Sequence, residues 1–144
     1  MPRFARRLAV LPLAAGLFAV TLAPAADPKP AARPTQQEWQ AVRDKAVAYL
    51  KAHQDENGGW STRRSPGVTG VVVAGLLRAG VQPGDAPAAG GLKYIESLVN
   101  PKAGHIAGAD PKVGLQNYVT SVNVMALAAA GQDGKYKPVI GDAV

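Results

Sequence analysis

The sequence predicts an all-α protein made of helical hairpins that form part of an incomplete α/α toroid. Two repeated patterns support this prediction. Residues 49–51 (Tyr-Leu-Lys) are echoed by residues 94–96 (Tyr-Ile-Glu), and residues 67–80 are echoed by residues 118–131, with a shared Val-Thr pair and a shared Ala-Gly ending. Because one such unit cannot bury its own apolar face, a repeat of this kind indicates that neighbouring units stack into an array or ring.

A third copy of the pattern begins near the end of the chain. Residues 136–144 align without a gap on residues 39–47, and both segments start with an aromatic residue and end in Ala-Val. We therefore place repeat 1 at about 35–80, repeat 2 at about 87–131 and the start of repeat 3 at 136–144. From this pattern we expect an N-terminal fragment of a longer protein, with marginal stability and self-association through the exposed repeat face.

Residues 1–25 have the composition of a signal peptide. Arginines precede a largely apolar stretch over residues 8–22, and Ala23 and Ala25 supply the small residues of a cleavage site. That stretch is shorter than the roughly 20 residues that a membrane-spanning helix needs. We expect export to the periplasm or the cell exterior, cleavage after Ala25, and no stable membrane span afterwards.

The charge and cysteine content exclude several classes of function. The chain has 16 basic and 10 acidic residues, and three of the basic residues precede the apolar stretch, so the mature charge falls from +6 to about +3. The remaining lysines and arginines are scattered and are not interleaved with aromatic residues, which argues against a nucleic-acid partner. Since the chain has no cysteine, disulfides, thiolate zinc sites and cysteine nucleophiles are excluded.

The first predicted elements are a linker and a helix. Residues 26–34 are rich in proline and should form an extended linker. A helix should begin directly after it, because Thr35 and Glu38 have the spacing of a capping box. Helical spacing then predicts one inward apolar face, formed by Trp39, Val42, Ala46, Val47 and Leu50.

A turn and a second helix complete the first repeat. Residues 55–59 combine acidic, asparagine and glycine residues, so the chain should reverse there. Ser65 and Pro66 are typical of a helix start, and Gly80 of a helix end. The valines at 71–73 also suit a buried strand, but the alanine-rich equivalent in the second repeat favours a helix.

The second repeat follows the same plan. We predict a helix over residues 87–98, a loop over residues 102–114 and a further helix from Gln116 to the glycine at 131. The first of these helices should turn a small set of apolar residues inward, namely Leu92, Ile95 and Leu98 or Val99. In each repeat an amphipathic helix thus precedes a nearly uncharged one. We expect the amphipathic helices to form an outer wall and the uncharged helices an inner wall.

The turn between the first two helices resembles the Gln-Trp motif of the squalene-hopene cyclase and prenyltransferase superfamily. That motif runs glutamine, two variable residues, Asp or Asn, Gly, a small residue and Trp, between an outer and an inner helix. The residues that match it here are Gln54, Asn57, Gly58, Gly59 and Trp60. The resemblance extends from residue 35 to the end of the chain and implies an α/α toroid. In the second repeat, His105 and Ile106 stand where the Gly-Trp pair would be.

We interpret the motif as a structural clasp. Its glycines allow a tight turn, while the tryptophan ring can pack on a neighbouring helix end and donate its N–H. This interpretation assigns Trp60 to the packing of the fold and not to contact with a ligand.

The catalytic chemistry of the resembled enzymes is not visible in the sequence. The class II cyclases use an Asp-x-Asp-Asp run, which is absent, and the related zinc-dependent prenyltransferases need a cysteine ligand. Asp55 and Asp110 could serve a toroid glycosidase, but their spacing does not select them. His53 and His105 lack the spacing of metal ligands. We therefore predict no metal and no cofactor and assign no catalytic residue, and whether the protein is an enzyme stays open.

One region has the composition of a ligand-binding mouth. Polar residues cluster at the start of the second inner helix, where backbone N–H groups point outward. Two arginines before the first inner helix would attract an anion. The predicted mouth consists of Arg63, Arg64, His105, Gln116, Asn117, Tyr118, Thr120 and Asn123.

The leading hypothesis is an exported repeat protein of the prenyltransferase and squalene cyclase type that acts as a binding or scaffolding module. A hydrophobic molecule or a carbohydrate would suit it as a ligand. The alternative is a fragment of a toroid enzyme, either terpene cyclase-like or carbohydrate-active, whose catalytic residues lie in repeats outside this sequence.

Overall fold

The computed structural model describes residues 33–143, except residues 111 and 113. The predicted signal peptide and most of the predicted linker lie outside these residues. Within them the chain is mostly helical, which confirms the all-α prediction. The elements in order are α1 (Gln36–Ala52), α2 (Gly67–Arg78), α3 (Ala88–Ser97), β1 (Val99–Asn100), β2 (His105–Ile106), α4 (Gln116–Ala130), a 3-10 turn (Gln132–Gly134) and α5 (Lys137–Asp142).

Helix α1 begins where its capping box predicts. The Thr35 hydroxyl accepts a hydrogen bond from the backbone N–H of Glu38 at 3.2 Å, and the Glu38 carboxylate accepts the backbone N–H of Thr35 at 2.7 Å. These two bonds satisfy amide groups that would otherwise lack a partner at the helix start. They also lower the pKa of the Glu38 carboxyl, chiefly through the bond from the Thr35 backbone.

The predicted inward face of α1 is only partly correct. Val47 and Leu50 are half-buried and pack against the core, whereas Trp39 and Val42 are 61% and 58% exposed and Ala46 is exposed as well. The helix contacts the rest of the protein through its C-terminal half alone. Its first turns have no neighbouring helix among the described residues, so periodicity identified an apolar face that this structure does not cover.

Helices α2 and α4 pack side by side in the same direction. A Cβ added to Gly67 would lie 3.4 Å from the Cα of Val119, and one added to Gly70 would lie 2.9 Å from the carbonyl oxygen of Val122. The two contacts advance by three residues along both helices, so the helices are parallel. Glycine permits this close approach because it has no side chain, which explains the glycines at positions 67 and 70 of α2.

The hydrophobic core lies between α2, α3 and α4. Residues from all three helices are buried in it, together with residues from three of the segments that connect the helices. The buried residues include Trp60, Val73, Leu76, Leu92, Ile95, Ile106, Ala126, Leu127 and Tyr136. Leu92 and Ile95 are therefore inward as predicted, while Leu98 and Val99 are half-buried. In the loop after α3, β1 and β2 form a short antiparallel ladder that pairs Val99 with Ile106. The sequence pattern did not predict this ladder.

The inner helices are less covered than predicted. On α2, Val71 is 53% exposed, and on α4, Tyr118 and Met125 are 58% and 48% exposed. Each inner helix therefore keeps one apolar side open in this structure. None of the described helices is both long enough and apolar enough to cross a membrane.

Helix α5 is joined to α3 by a polar contact. Tyr136, just before α5, is 3% exposed and donates its hydroxyl hydrogen to the Glu96 carboxylate at 2.7 Å. Lys135 donates to the same carboxylate oxygen at 2.6 Å. This hydrogen bond from Lys135 is the largest cause of the lowered pKa of Glu96. Burial raises the pKa of Tyr136, and its hydrogen bond to Glu96 raises it further.

Candidate functional site

The loop that joins α1 to α2 contains the predicted structural motif. The Gln54 side-chain amide donates to the carbonyl oxygens of Gly58 at 2.7 Å and of Pro87 at 3.0 Å. Pro87 immediately precedes α3, so this one side chain connects the loop of the first repeat to the outer helix of the second. Gly58 has φ +86°, and a Cβ there would lie 2.5 Å from the carbonyl oxygen of Gly90. Only glycine fits at this position.

Trp60 connects the same loop to both helices of its own hairpin. Its indole N–H donates to the carbonyl oxygen of Leu50 in α1 at 2.7 Å. Its backbone N–H donates to the Thr69 hydroxyl in α2 at 3.0 Å. The residue is 4% exposed, as the clasp interpretation requires. A buried tryptophan with a satisfied N–H contributes to stability through packing and offers no polar group to a ligand.

Ile106 has the equivalent position in the second repeat. Its backbone N–H donates to the Thr120 hydroxyl in α4 at 3.1 Å, and its carbonyl oxygen accepts from the Asn123 side chain at 2.8 Å. The residue is 1% exposed. Thr120 therefore receives the loop of the second repeat as Thr69 receives the loop of the first. The sequence repeat therefore corresponds to one hydrogen bond that both hairpins share. The motifs in the sequence did not indicate this bond, although Thr69 and Thr120 align within the repeat.

The predicted mouth separates into two clefts. The first, which we name the arginine cleft, has a volume of about 440 Å³ and is lined by Arg63 and Arg64 together with Lys112, Asp110 and Leu115. The second has a volume of about 430 Å³, and its lining includes His105, Gln116, Asn117 and Thr120. The two sets of residues predicted to face each other thus line different depressions.

Two residues of the predicted mouth lie in neither cleft. Tyr118 is on the exposed side of α4 and lines neither cleft, although it was predicted to line the mouth. Asn123 is fully buried between α4 and α2, where its side chain bonds Ile106. Asn123 was predicted to line the mouth because it belongs to the polar cluster at the start of the second inner helix, but the neighbouring α2 covers that side of α4.

Two buried polar atoms have no hydrogen-bond partner among the described residues. They are Nδ1 of His105 and Oδ1 of Asn123. The Asn123 oxygen faces the Cα of Gly70, so the close packing of the two inner helices accounts for its position. His105 lies beside the second cleft and also beside α5.

The lining of the arginine cleft has three basic side chains and one carboxylate, that of Asp110. Arg63 and Arg64 also line a larger depression of about 690 Å³, together with Asp55 and Glu56. No carboxylate of the described residues lies within 4.0 Å of the Arg63 or Arg64 side-chain nitrogens. Asp110 is held locally, because it accepts the backbone N–H of Lys112 at 2.8 Å. Asp55 lies in the adjacent loop and accepts the backbone N–H and the hydroxyl of Thr62 at 3.0 and 2.9 Å. These bonds, the backbone one first, lower the pKa of Asp55, and nearby Arg63 contributes a smaller lowering.

The acidic residues with shifted pKa values are therefore engaged in the structure itself, Glu38 and Asp55 within their own turns and Glu96 between α3 and the segment before α5. In the part of the chain that the structure describes, no group of three or more His, Cys, Asp or Glu side chains is placed to hold a metal ion. His53 is exposed and stacks on Tyr49 at a ring separation of 4.0 Å, far along the chain from His105.

Comparison of the chain with protein-family models, with curated proteins and with solved structures finds no match.

Proposed function

We propose that this protein is an exported binding or scaffolding module of the α/α-toroid repeat type, similar in its hairpin architecture to the prenyltransferase and squalene cyclase repeats. The proposal rests on the two hairpins and their equivalent loop-to-helix bonds, from Trp60 to Thr69 and from Ile106 to Thr120. Parallel packing of successive inner helices is what a ring or array of such hairpins requires.

We further propose that the arginine cleft receives an anionic group of the ligand. The observation that carries this proposal is the lining of one cleft by Arg63, Arg64 and Lys112. Guanidinium groups bind carboxylate, sulfate and phosphate groups through paired hydrogen bonds, and the Ser65 hydroxyl adds a neutral donor at the same place. The cleft is open and polar, which suits an extended acidic carbohydrate better than a buried hydrophobic molecule.

Binding to polysaccharides of different charge tests this function. The full chain should bind polygalacturonate, which carries carboxylates, and should not bind neutral dextran under the same conditions. The double substitution Arg63→Gln and Arg64→Gln should weaken the binding by about tenfold or more, because each lost charged hydrogen bond is worth about 1.5–3 kcal/mol.

Arg43→Gln provides the matched control, because Arg43 lies on α1, bonds Asp44 and does not line the cleft. Binding of polygalacturonate by the wild type and the control, with loss in the double variant, supports the proposal. Equal binding by all three proteins, or binding of dextran and polygalacturonate alike, would overturn it.

A further inference from the structure

The loop between α1 and α2 contains a reactive pair of residues, Asn57 and Gly58. The other three asparagines of the chain, at positions 100, 117 and 123, precede proline, tyrosine and valine. An asparagine before a glycine is chemically reactive in water, because a glycine has no side chain to keep its backbone nitrogen away from the preceding side-chain carbonyl carbon. Asn57 is exposed to solvent, so water reaches its side-chain amide.

The reaction of such a pair is an intramolecular deamidation. The Gly58 nitrogen loses its proton to hydroxide and attacks Cγ of Asn57, so a bond forms between these two atoms. The bond from Cγ to Nδ2 breaks, and the side-chain nitrogen takes up a proton from water and leaves as ammonia. A second water molecule then opens the cyclic imide at either carbonyl group, which gives aspartate or isoaspartate. The net change is the gain of one water and the loss of one ammonia, without an oxidant or a reductant.

The folded loop engages both reacting groups in other hydrogen bonds. The Gly58 N–H donates to the carbonyl oxygen of Asp55 at 2.8 Å. Oδ1 of Asn57 accepts the backbone N–H of Gly59 at 3.0 Å, and Nδ2 of Asn57 donates to the Thr62 hydroxyl at 3.3 Å. The attacking nitrogen is therefore held as a donor, which opposes its deprotonation, and the Asn57 side chain is bonded to groups other than the Gly58 nitrogen.

The same loop is fixed against the second hairpin. The Asp55 N–H donates to the carbonyl oxygen of Gly59 at 2.8 Å, which closes the turn. The Gly58 carbonyl oxygen accepts the Gln54 amide at 2.7 Å, and a Cβ added to Gly58 would lie 2.5 Å from the carbonyl oxygen of Gly90 in α3. To bring the Gly58 nitrogen onto Cγ of Asn57, the loop must therefore break these bonds and move away from α3.

We propose that Asn57 is a site of spontaneous deamidation that the folded loop blocks and that unfolding of the loop exposes. The isoaspartate product impedes the return to the native fold. It adds one methylene group to the main chain between residues 57 and 58, in a turn where Gly58 contacts Gly90 without room for a Cβ. Because the reaction is irreversible, molecules that stay unfolded are chemically marked and lost from the native population.

Incubation of the full chain in the folded and the unfolded state tests the proposal. One sample is held in buffer and the other in guanidinium chloride, both at the same mildly alkaline pH, and peptide mapping by mass spectrometry follows each asparagine over time. Deamidation of Asn57 should be about tenfold slower or more in the folded sample, because the loop must open first. In guanidinium chloride, Asn57 should react before the other three asparagines. Equal rates in the two samples, or an unmodified Asn57 in guanidinium chloride, would overturn the proposal.

Gln54→Ala tests whether the attachment of the loop protects Asn57. This substitution removes the bond to the Gly58 carbonyl oxygen and should raise the rate of deamidation in the folded sample about fivefold or more. Circular dichroism checks that the variant remains helical. Gln40→Ala is the matched control, because Gln40 is exposed near the start of α1, and its rate should equal that of the wild type. An unchanged rate in folded Gln54→Ala would contradict protection by this contact.

The effect of deamidation on refolding is tested with Asn57→Asp. Aspartate keeps an oxygen that accepts the Gly59 N–H, but it has no amide to lose, and its ionised carboxylate is a poor target for the attacking nitrogen. Long incubation in guanidinium chloride before dilution should reduce the fraction of wild-type chains that refold and should leave that of Asn57→Asp unchanged. Equal losses in the two proteins would show that deamidation of Asn57 does not limit refolding.

Discussion

At the scale of single residues, two threonines on the inner helices hold the loops of the two hairpins. The Thr69 and Thr120 hydroxyls accept the backbone N–H groups of Trp60 and Ile106. All four residues are less than 10% exposed. A buried amide N–H that loses its acceptor retains its desolvation cost, so these two hydroxyls matter more to stability than an average surface hydrogen bond.

Replacement of these threonines by valine should destabilise the protein. Thr69→Val and Thr120→Val keep the side-chain shape but leave the N–H of Trp60 or Ile106 without an acceptor, at a cost of about 1–3 kcal/mol each. Thr69→Ser, which retains the hydroxyl, should cost less than Thr69→Val. Denaturant unfolding measures the change in the free energy of unfolding for each of the three variants. An equal loss of stability in Thr69→Ser and Thr69→Val would show that the hydroxyl does not contribute.

The Trp60 ring should contribute to stability and not to ligand binding. Trp60→Ala removes a ring that is 4% exposed and should lower the free energy of unfolding by about 3 kcal/mol or more. Binding of polygalacturonate at low temperature should remain nearly unchanged, because Trp60 does not line the arginine cleft. Loss of binding with an unchanged melting temperature would instead make Trp60 a ligand-contacting residue.

At the scale of secondary-structure elements, glycine determines how closely the inner helices approach. Gly67 and Gly70 of α2 face α4, whereas Gly75 of the same helix has no neighbouring atom within 4 Å of an added Cβ. The helix thus contains glycines that the packing requires and one that it does not. This difference cannot be read from helix propensity, which disfavours all three equally.

Two alanine substitutions on α2 should have opposite effects. Gly70→Ala should destabilise the protein by about 1–3 kcal/mol, because its methyl group would meet the Asn123 side chain and the backbone of Val122. Gly75→Ala should stabilise it by about 0.5–1 kcal/mol, because alanine has the higher helix propensity and space is available. Thermal unfolding of both variants checks this pair, and a stabilising Gly70→Ala would show that the two helices are not in close contact.

At the scale of the whole molecule, Glu96 connects the second repeat to the start of the third. Its carboxylate accepts hydrogen bonds from Lys135 and Tyr136, which precede α5. The Glu96 side chain is 39% exposed, so solvent screens its contact with Lys135. The contact should therefore contribute no more than about 1 kcal/mol to the free energy of unfolding.

This contact should make stability depend on pH in the acidic range. The pKa of Glu96 is lowered in the folded protein, chiefly by the Lys135 hydrogen bond, so the folded state favours the ionised form. Its contribution is fully present above the unfolded glutamate pKa of about 4.3 and is lost as the pH falls through the lower folded value. Glu96→Gln should therefore flatten the decline in melting temperature below about pH 5. Glu56→Gln is the control, because Glu56 is exposed in a loop. The melting temperature of this control should decline more steeply below about pH 5 than that of Glu96→Gln.

The number, type and order of the helices could be predicted from the sequence, because each depends on local signals. The capping box at Thr35 and the glycine after α4 are correctly located, and the predicted start of α4 at Gln116 is confirmed. The sequence repeat also aligns Thr69 with Thr120, the two residues that form equivalent hydrogen bonds. Local composition is sufficient for such features because capping and turn formation involve residues only a few positions apart.

Only the tertiary structure decided which apolar residues are covered and which polar residues share a cleft. Helical periodicity grouped Trp39 with Leu50, yet one is exposed and the other packs on the core, because periodicity describes a face and not the presence of a neighbour. The same limit applies to Asn123, which α2 buries, and to Lys112, which joins Arg63 and Arg64 in one cleft across about 50 residues of chain. Contacts between residues this distant in sequence depend on how the hairpins pack, and no local pattern encodes that packing.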